Sequence, residues 1–444
     1  MQTPVYDFAR KYADSGAVRM HMPGHKGKAL LGCEPLDLTE IAGADSLFEA
    51  SGILAQSEAN AGSLFGCRTL YSAEGSSLCI RAMLYLALLH AADTGRPPVI
   101  AAARNVHKAF LTAAKLLGFT IRLLPQQRGM SYLSGALTDA ALESCLSGEN
   151  PPAALYLTSP DYLGNLCDIR KAAEFCRAHD MLLLVDQAHG AYLHFLPQTL
   201  HAADLGADLC CDSAHKTLPV LTGGAYLHIA DSAPEICKSR AKEAMALFAS
   251  TSPSYLILES LDLCNRYLSA GYPERLRAFL ERVQAMRAAL SASGWALCGD
   301  EPMKLTLRPK PRGYHGQQLA ELMQQAGIFC EFADPDHLVL MLTPENPERD
   351  LCRVQEFLCK LPQLAPLPEA DLPALSPAPE LRPRELLFAN TETLPVSECI
   401  GRICAGLTLS CPPAVPIVLC GERITEKAVQ HMTYYGITHC TVVK

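Results

Sequence analysis

The sequence lacks any uninterrupted apolar run near the roughly 20 residues that a membrane-spanning helix needs, although 49% of it is hydrophobic. It also lacks an excess of basic residues, because 46 acidic residues outnumber 38 basic ones. This balance argues against nucleic acid or an anionic membrane as a partner, since both need a basic surface. The length of 444 residues suggests two to four domains, and a charged fraction of 19% excludes extensive disorder.

The first ten residues lack the apolar core of a secretory signal. None of the 19 cysteines forms a Cys-x-x-Cys pair. We therefore interpret them as reduced thiols of a cytoplasmic protein, most of them in apolar segments. The pairs His21/His25 and His189/His194 come closest to metal-ligand spacing, but a glycine interrupts each interval and neither pair would share a helix face. We expect no metal site.

Residues 77–230 alternate between helical segments and short, continuously apolar strands. Such strands, separated by helices, are typical of a mostly parallel sheet that is buried on both faces. We therefore predict an α/β fold with a mostly parallel central sheet and helices on both faces, in which ligands bind at the loops after the strands. The predicted helices are 78–91, 108–117 and 169–179, and the predicted strands are 99–103, 120–124, 153–158, 181–185 and 207–211.

The pattern changes after about residue 255, where a long amphipathic helix over 274–290 and strands near 303–307 and 338–342 indicate a smaller α/β domain. Seven of the 23 residues in 361–383 are proline, which favours a semi-rigid linker over helix or sheet. The predicted organisation is an N-terminal arm 1–50, a large domain 51–255, a small α/β domain 256–360, the linker 361–383 and a C-terminal domain 384–444.

Two strand ends carry ionisable residues. Asp186 closes a buried strand, where a charge is costly unless it has a partner. A helix cap or a solvated strand end would explain it equally well. Lys216 follows the next strand, and the hydroxyl and imidazole groups of its neighbours suit a phosphate. A lysine exposed to solvent is the simpler alternative.

Two further segments complete the set. Gly75-Ser76-Ser77 precedes a predicted helix, whose first N–H groups and dipole attract an anion. N-capping alone would explain one serine, and Glu74 would repel a phosphate unless it points away. His107 follows the first predicted strand and could also be an exposed helix start. Phosphate site, imidazole ring, carboxylate and lysine together are what pyridoxal phosphate (PLP) requires.

One motif is highly specific, His-Met-Pro-Gly-His-Lys-Gly at 21–27, and a second is nearly as specific, Ser-Ala-His-Lys-Thr-Leu-Pro at 213–219. With them the chain resembles, nearly end to end, the Orn/Lys/Arg decarboxylase family, PLP enzymes of the aspartate-aminotransferase fold (fold type I). Further segments similar to the family are 3–6, 37–40, 158–164, 252–255, Pro412-Pro413 with Pro416, and 421–425.

The resemblance implies that Lys216 binds the PLP aldehyde covalently, that Asp186 pairs with the pyridine nitrogen and that His107 stacks on the ring. His215 or Lys216 would return a proton to the substrate. The other cofactor-binding residues that the resemblance implies are Gly75, Ser76, Ser77, Ala188, His189, Ser213 and His215.

The resemblance also implies decarboxylation of arginine, lysine or ornithine in polyamine metabolism by a homodimer or a higher homo-oligomer. Glu422, or acidic residues of a partner subunit, would bind the distal cation of the substrate. One alternative is an aminotransferase or lyase, in which Arg308 or Arg312 would bind the substrate carboxylate. A second alternative is a non-catalytic regulator that keeps the fold, although the intact cofactor residues argue against it.

Four positions depart from the family pattern. Gln187 stands where relatives usually have glutamate, Asp161 where threonine is usual, and Gly223 where a polar residue is usual. Glu74 is also atypical. None of these changes removes a group that would hold the cofactor, so the resemblance still implies PLP binding.

Overall fold

The computed structural model describes residues 1–126, 129–135, 137–148, 150–375, 379–407 and 414–444. Pro377 of the predicted linker and Pro412 and Pro413 of the C-terminal motif lie outside these residues. The helices are α1 Pro4–Asp14, α2 Ile53–Phe65, α3 Ser76–Asp93, α4 Lys108–Leu117, α5 Asp139–Cys145, α6 Ile169–Ala178, α7 Ala214–Thr217, α8 Glu235–Ser239, α9 Ala241–Ala246, α10 Tyr255–Ser269, α11 Tyr272–Ala292, α12 Gly316–Gln325, α13 Glu348–Lys360 and α14 Glu426–Tyr434. The strands are β1 Arg68–Ser72, β2 Val99–Ala102, β3 Thr120–Leu123, β4 Ala154–Thr158, β5 Leu182–Asp186, β6 Leu209–Asp212, β7 Ala225–Ile229, β8 Ala296–Cys298, β9 Lys304–Arg308, β10 Phe332–Ala333, β11 Leu338–Met341, β12 Thr391–Pro395 and β13 His439–Val443.

The chain forms two compact units. The first comprises Met1–Arg96 and Ile169–Arg275, and the second comprises Pro97–Asp168 and Leu276–Lys444. The domain boundaries expected from the sequence stay a prediction.

In the first unit the strands lie in the order β1–β7–β6–β5. β5 and β6 are parallel, with Asp186 opposite Cys211, whereas β7 is antiparallel to both β6 and β1. Every residue of β5 and β6 is buried, as expected for continuously apolar strands. Because β5 and β6 are parallel neighbours, the loops that begin at residues 187 and 213 leave the same edge of the sheet.

The N-terminal arm is anchored to the first unit by backbone hydrogen bonds. At the start of α1, the N–H groups of Val5 and Tyr6 donate to Asp262 Oδ2 at 2.9 and 3.0 Å. The segment that follows α1 exposes several apolar side chains over at least two thirds of their surface, namely Val18, Met20, Met22, Leu30 and Leu31. We call these five residues the apolar arm patch.

In the second unit the strands β4–β2–β3 are all parallel, with Ile100 opposite Ala154 and Val99 opposite Thr120. A separate antiparallel sheet has the order β10–β11–β9–β8, and β12 pairs with β13. Residues 362–375 of the predicted linker form neither helix nor strand.

The prediction of an α/β fold with a mostly parallel central sheet and helices is confirmed. The helix expected from residue 78 begins instead at Ser76, because Gly75 adopts a φ of 71° that ends the preceding loop. Within the described residues, no helix is both long and apolar enough to cross a membrane.

The cysteines of the described residues are all free thiols. Burial raises the pKa of Cys210 and Cys211, which lie side by side in β6. The exposed cysteines among the described residues are Cys352 and Cys359, both on α13. The thiols nearest the strand ends are therefore kept protonated.

Candidate active site

Lys216 and His189 meet where the loops after β5 and β6 leave the sheet. Lys216 lies in α7, which begins directly after β6 and Ser213, and its Nζ is 3.0 Å from His189 Nε2. His189 is buried and lies three residues after the end of β5. An imidazole nitrogen at this distance can take up a proton from the lysine ammonium, which would leave the amine nucleophilic.

Asp186 is the last residue of β5 and is 2% exposed. Its Oδ1 accepts the N–H of Ala188 at 3.2 Å and the thiol of Cys211 at 3.9 Å. The solvated strand end considered from the sequence is therefore wrong, because this carboxyl is buried and has partners. A buried carboxylate at a strand end can hold a proton on a nearby heterocyclic nitrogen.

Two buried hydroxyl groups meet at the start of α3. Ser213 Oγ donates to Ser76 Oγ at 2.8 Å, which brings together residues 137 positions apart. Ser76 is the first residue of the 18-residue helix α3, whose first N–H groups have no intrahelical acceptor. The hydroxyls and the helix N-terminus form a cradle that suits a phosphate.

Two residues that depart from the family pattern, Glu74 and Gly223, lie in or against the loop before α3. Glu74 turns to the backbone of Ser250, whose N–H donates to Glu74 Oε1 at 2.6 Å. Gly223 has a φ of 102°, and a Cβ there would lie 3.0 Å from Ile257 Cδ1 and 3.1 Å from the Ala73 carbonyl oxygen. The carbonyl of Gly223 accepts the N–H of Gly75 at 2.7 Å, so this glycine supports the phosphate cradle.

His215 lies next to Lys216 but makes a different bond. Its Nδ1 is 3.0 Å from the carbonyl oxygen of Gly224, so Nδ1 carries the proton that this bond requires. Burial lowers the pKa of His215, and the charge of Lys216 lowers it further. The neutral ring offers Nε2 as an acceptor, which suits proton exchange better than contact with a phosphate.

A buried cluster that the sequence did not suggest surrounds Asp212, the last residue of β6. Asp212 Oδ2 accepts from the Nε2 atoms of His201 and His228, both at 3.0 Å, and Oδ1 accepts from Gln187 Nε2 at 3.1 Å. His201, Asp212 and His228 have no exposed surface. Since Asp212 ends a buried strand as Asp186 does, its position was the signal that could have revealed it.

Three groups of side chains in the described residues place possible metal-ligand atoms within 4.8 Å of one another. They are His194/His201/Asp204, His201/Asp212/His228 and Asp334/Asp336/His337. The expectation that the protein has no metal site stays a prediction.

The second unit contains His107 and Glu422, the two other predicted site residues. His107 caps α4, where its Nδ1 accepts the N–H of Ala109 at 3.2 Å and thereby orients the ring. Glu422 is buried, and both its oxygens bind Arg104 at 2.8 to 3.0 Å. No observation supports Glu422 as a substrate ligand, because its carboxylate is already engaged within this unit.

The side chain of Asp161 also bonds to neighbouring residues of the second unit. Its Oδ1 accepts the N–H groups of Leu163 and Asn165, both at 2.9 Å, and its Oδ2 accepts from Asn165 Nδ2 at 2.7 Å. Burial raises the pKa of this carboxyl. The aspartate therefore organises the turn after β4.

The residues of the first unit fit PLP. Lys216 offers an amine, Asp186 a buried carboxylate, and Ser76 with Ser213 and the α3 N-terminus an anion cradle. Except for His107 and Glu422, all the predicted site residues belong to this unit. Their individual roles stay predictions.

Comparisons with known proteins agree with this fit. A family model described as "Orn/Lys/Arg decarboxylase, major domain" matches residues 3–307, and a second, described as "Orn/Lys/Arg decarboxylase, C-terminal domain", matches residues 369–440. A Bacillus subtilis protein named "Uncharacterized protein YaaO" is 30% identical over 98% of this chain and 94% of its own length. A Bacillus subtilis protein named "Arginine decarboxylase" is 28% identical over 97% of this chain and 93% of its own length. The crystal structure of a Francisella novicida lysine decarboxylase is similar in fold, with a TM-score of 0.79 and 16% identity over 100% of this chain and 81% of that one.

Proposed function

Because this chain belongs to the Orn/Lys/Arg decarboxylase family and is a PLP-dependent amino-acid decarboxylase, we propose that it converts a basic L-amino acid to the corresponding amine and CO2. Arginine is the first candidate, since curated relatives at 27 and 28% identity are named arginine decarboxylases. The amine product would enter polyamine metabolism. The observation that carries the proposal is the 3.0 Å contact between Lys216 Nζ and His189 Nε2 at the strand ends of the first unit.

The site residues of the first unit would have the following roles. His189 would take the proton from the Lys216 ammonium, so that the neutral amine can bind the cofactor aldehyde. Asp186 would hold a proton on the pyridine nitrogen. Bound PLP supplies an electron sink for the electron pair that departing CO2 leaves behind. His215, neutral because burial lowers its pKa, would exchange a proton with the substrate.

The phosphate would be held by hydroxyls and backbone N–H groups. Ser76, Ser77 and Ser213 provide hydroxyl groups, and the first turn of α3 provides N–H donors and the positive end of the helix dipole. Gly75, whose positive φ allows the turn into α3, and Ala188 would lie against the cofactor. His107 would stack on the ring, with its orientation set by the bond to Ala109.

No observation favours the aminotransferase alternative, for which an arginine should be available to bind a carboxylate. Arg308 already pairs with Glu369 at 2.7 Å. Arg312 is buried, lies 4.7 Å from the centre of the Trp295 ring and donates to backbone carbonyl groups. Both guanidinium groups are thus engaged within the second unit.

The test is a decarboxylation assay on the holoenzyme. Arginine, lysine and ornithine are supplied separately, and CO2 and amine are both measured. We expect CO2 and amine with arginine, and little or none with the other two substrates. Both products should disappear in Lys216→Ala and persist in the control Lys427→Ala, because Lys427 is exposed on α14. PLP bound without CO2 from any of the three substrates would contradict the proposal.

We also propose that the enzyme is a cytoplasmic homodimer. The apolar arm patch, exposed in a single chain, offers a surface that a second copy would bury. The free thiols of the described cysteines suit a reducing compartment. Analytical ultracentrifugation should give a dimer, and Leu30→Asp with Leu31→Asp should shift it toward the monomer. A dimer unaffected by these changes would exclude the arm patch as the interface.

A further inference from the structure

Gln187 joins the two loops that carry the lysine and its histidine partner. Its Nε2 donates to Asp212 Oδ1 and to the carbonyl oxygen of Gly190, both at 3.1 Å, and its Oε1 accepts the N–H of Ala202 at 2.7 Å. Gln187 is 1% exposed, so all these bonds are shielded from water. A buried amide that is hydrogen-bonded through both its nitrogen and its oxygen favours one arrangement of the groups around it.

The hydrogen bond between Gln187 and Asp212 matters for the site because of where the two residues lie in the chain. Gln187 lies between Asp186 and His189 on the loop after β5. Asp212 ends β6, and the single turn of α7 that follows contains Lys216. The Gln187–Asp212 hydrogen bond therefore ties the two loops together where each leaves the sheet, which fixes the separation of the groups they carry.

The packing around Gln187 leaves little room for another arrangement. A Cβ at Gly190 would lie 2.4 Å from Gln187 Cγ, so the loop folds tightly over the amide side chain. The backbone N–H of Gln187 donates to the carbonyl of Cys211 at 3.0 Å, which continues the ladder between β5 and β6. Backbone and side chain of Gln187 thus bind the same neighbouring strand.

Asp212 needs a donor at position 187. Although burial alone raises the pKa of Asp212, His201 and His228 beside it hold that pKa well below its ordinary value, so the carboxylate is ionised at neutral pH. Both histidines bind Oδ2, which leaves Oδ1 to Gln187. A carboxyl group at position 187 could donate to Oδ1 only while protonated, and once ionised it would repel the buried charge.

We propose that Gln187 is a positioning residue for the decarboxylase. Its amide, by donating to ionised Asp212, holds Asp186 and His189 in place relative to Lys216. The inference rests on the proposed function where decarboxylation is the quantity measured. It does not where PLP binding is measured, because the same geometry also sets how the cofactor binds.

The main test is Gln187→Glu in the holoenzyme, compared with Gln318→Glu on the exposed face of α12 as the control for the same chemical change. Three measurements are made between pH 6 and 9: kcat with arginine, PLP affinity of the apoprotein and the pH titration of the absorption band of bound cofactor. The titratable groups that face position 187 are Asp186, His201, Asp212, His228 and, beyond His201, the His194–Asp204 pair.

At the acidic end the new carboxyl is protonated, and its one O–H can replace the amide bond to Asp212 Oδ1, although not the bond to the Gly190 carbonyl. We therefore expect values within about threefold of the unchanged protein. At the alkaline end kcat and PLP affinity should fall by about tenfold or more, as for loss of a buried hydrogen bond to a charged group. The midpoint of the cofactor titration should shift as well. The control should follow the unchanged protein at every pH.

A second variant distinguishes loss of this hydrogen bond from a general folding defect. In the double variant Gln187→Glu/Asp212→Asn the donor and acceptor change places, and the pair can bond again. We expect it to lose less PLP affinity at alkaline pH than the two single changes predict when added. Thermal unfolding of each apoprotein shows whether the chain still folds.

Three results would overturn the proposal. They are a Gln187→Glu protein that matches the unchanged one at every pH, a loss that is equal at all pH values with no rescue in the double variant, and stoichiometric metal bound at the Asp212 cluster. If the unchanged protein bound PLP but released no CO2, the proposed function would fail, whereas the affinity and the cofactor titration would still decide the role of Gln187.

Discussion

Arg104 and Glu422 form a buried, bidentate ion pair, although they are 318 residues apart in the sequence. Both terminal nitrogens of the guanidinium lie 2.8 to 3.0 Å from both carboxylate oxygens, and neither side chain is more than 5% exposed. Glu422 Oε2 also accepts the N–H of Leu419 at 2.8 Å. The pair ties the segment after β2 to the C-terminal part of the second unit.

We therefore expect Glu422→Ala to lower the free energy of unfolding by about 3–5 kcal/mol, because it leaves the Arg104 charge buried without compensation. Urea denaturation followed by circular dichroism measures the change. The control is Glu356→Ala, which removes an exposed partner of Lys360 and should leave the midpoint nearly unchanged. Equal losses in the two variants would contradict this account.

The phosphate cradle predicts a second outcome. Ser76→Ala and Ser213→Ala should each weaken PLP binding by about tenfold or more, since each removes a hydroxyl from a charged ligand. The double variant should lose less than the product of the two, because the two hydroxyls also bond each other at 2.8 Å. Titration of the apoprotein with PLP measures this, with exposed Ser63→Ala as the control. Unchanged affinity in both single variants would place the phosphate elsewhere.

Glu259 predicts a pH dependence of stability. Burial, with the charges of Asp37 and Asp262, raises the pKa of Glu259 to about 8. Its pKa in the unfolded chain is about 4.3. A carboxyl whose pKa is raised by folding contributes stability below the unfolded pKa and loses it as the pH rises through the folded pKa.

Glu259→Gln should therefore have little effect near pH 4 and should stabilise the protein by a few kcal/mol near pH 9. Denaturation at several pH values gives the difference in unfolding free energy between variant and parent. Glu281→Gln on the exposed face of α11 provides the control and should show no such trend. A difference for Glu259→Gln that stays constant with pH would show that folding does not raise the pKa of this carboxyl.

Gly223 predicts a steric effect next to the cofactor cradle. Gly223→Ala and Gly66→Ala both place a side chain at positive φ, which costs about 1–2 kcal/mol. A Cβ at Gly66 meets nothing within 4 Å, whereas one at Gly223 meets Ile257 and Ala73. Gly223→Ala should therefore lose roughly 1–3 kcal/mol more, and PLP affinity as well. Similar melting temperatures for the two variants would argue against the crowding.

Most of the fold could be predicted from the sequence because its strands are continuously apolar. The strand expected at 181–185 is Leu182–Asp186, and the helix expected at 274–290 is Tyr272–Ala292. The residues directly after such strands could be predicted as candidates for the same reason, since parallel neighbours end at one edge. Lys216 and His189 meet there.

The interactions that the sequence did not predict depend on pairings between distant segments. His228 reaches Asp212 because β6 and β7 are antiparallel with Cys210 opposite His228, a register that no local motif encodes. The bond between Arg104 and Glu422 likewise joins segments 318 residues apart. The sequence therefore did not reveal that Glu422 bonds to a buried arginine, and its role as a substrate ligand stays a prediction.

The uneven exposure of the thiols distinguishes the two cysteines of α13 from the buried pair in β6 as targets for a thiol reagent. Cys210 and Cys211 are buried and protonated, so a maleimide reagent should leave them unmodified, whereas Cys352 and Cys359 are exposed. The two exposed thiols are seven residues apart on α13 and therefore share a helix face. A fluorescent dye attached there would report on the second unit while leaving the cysteines of β6 unmodified.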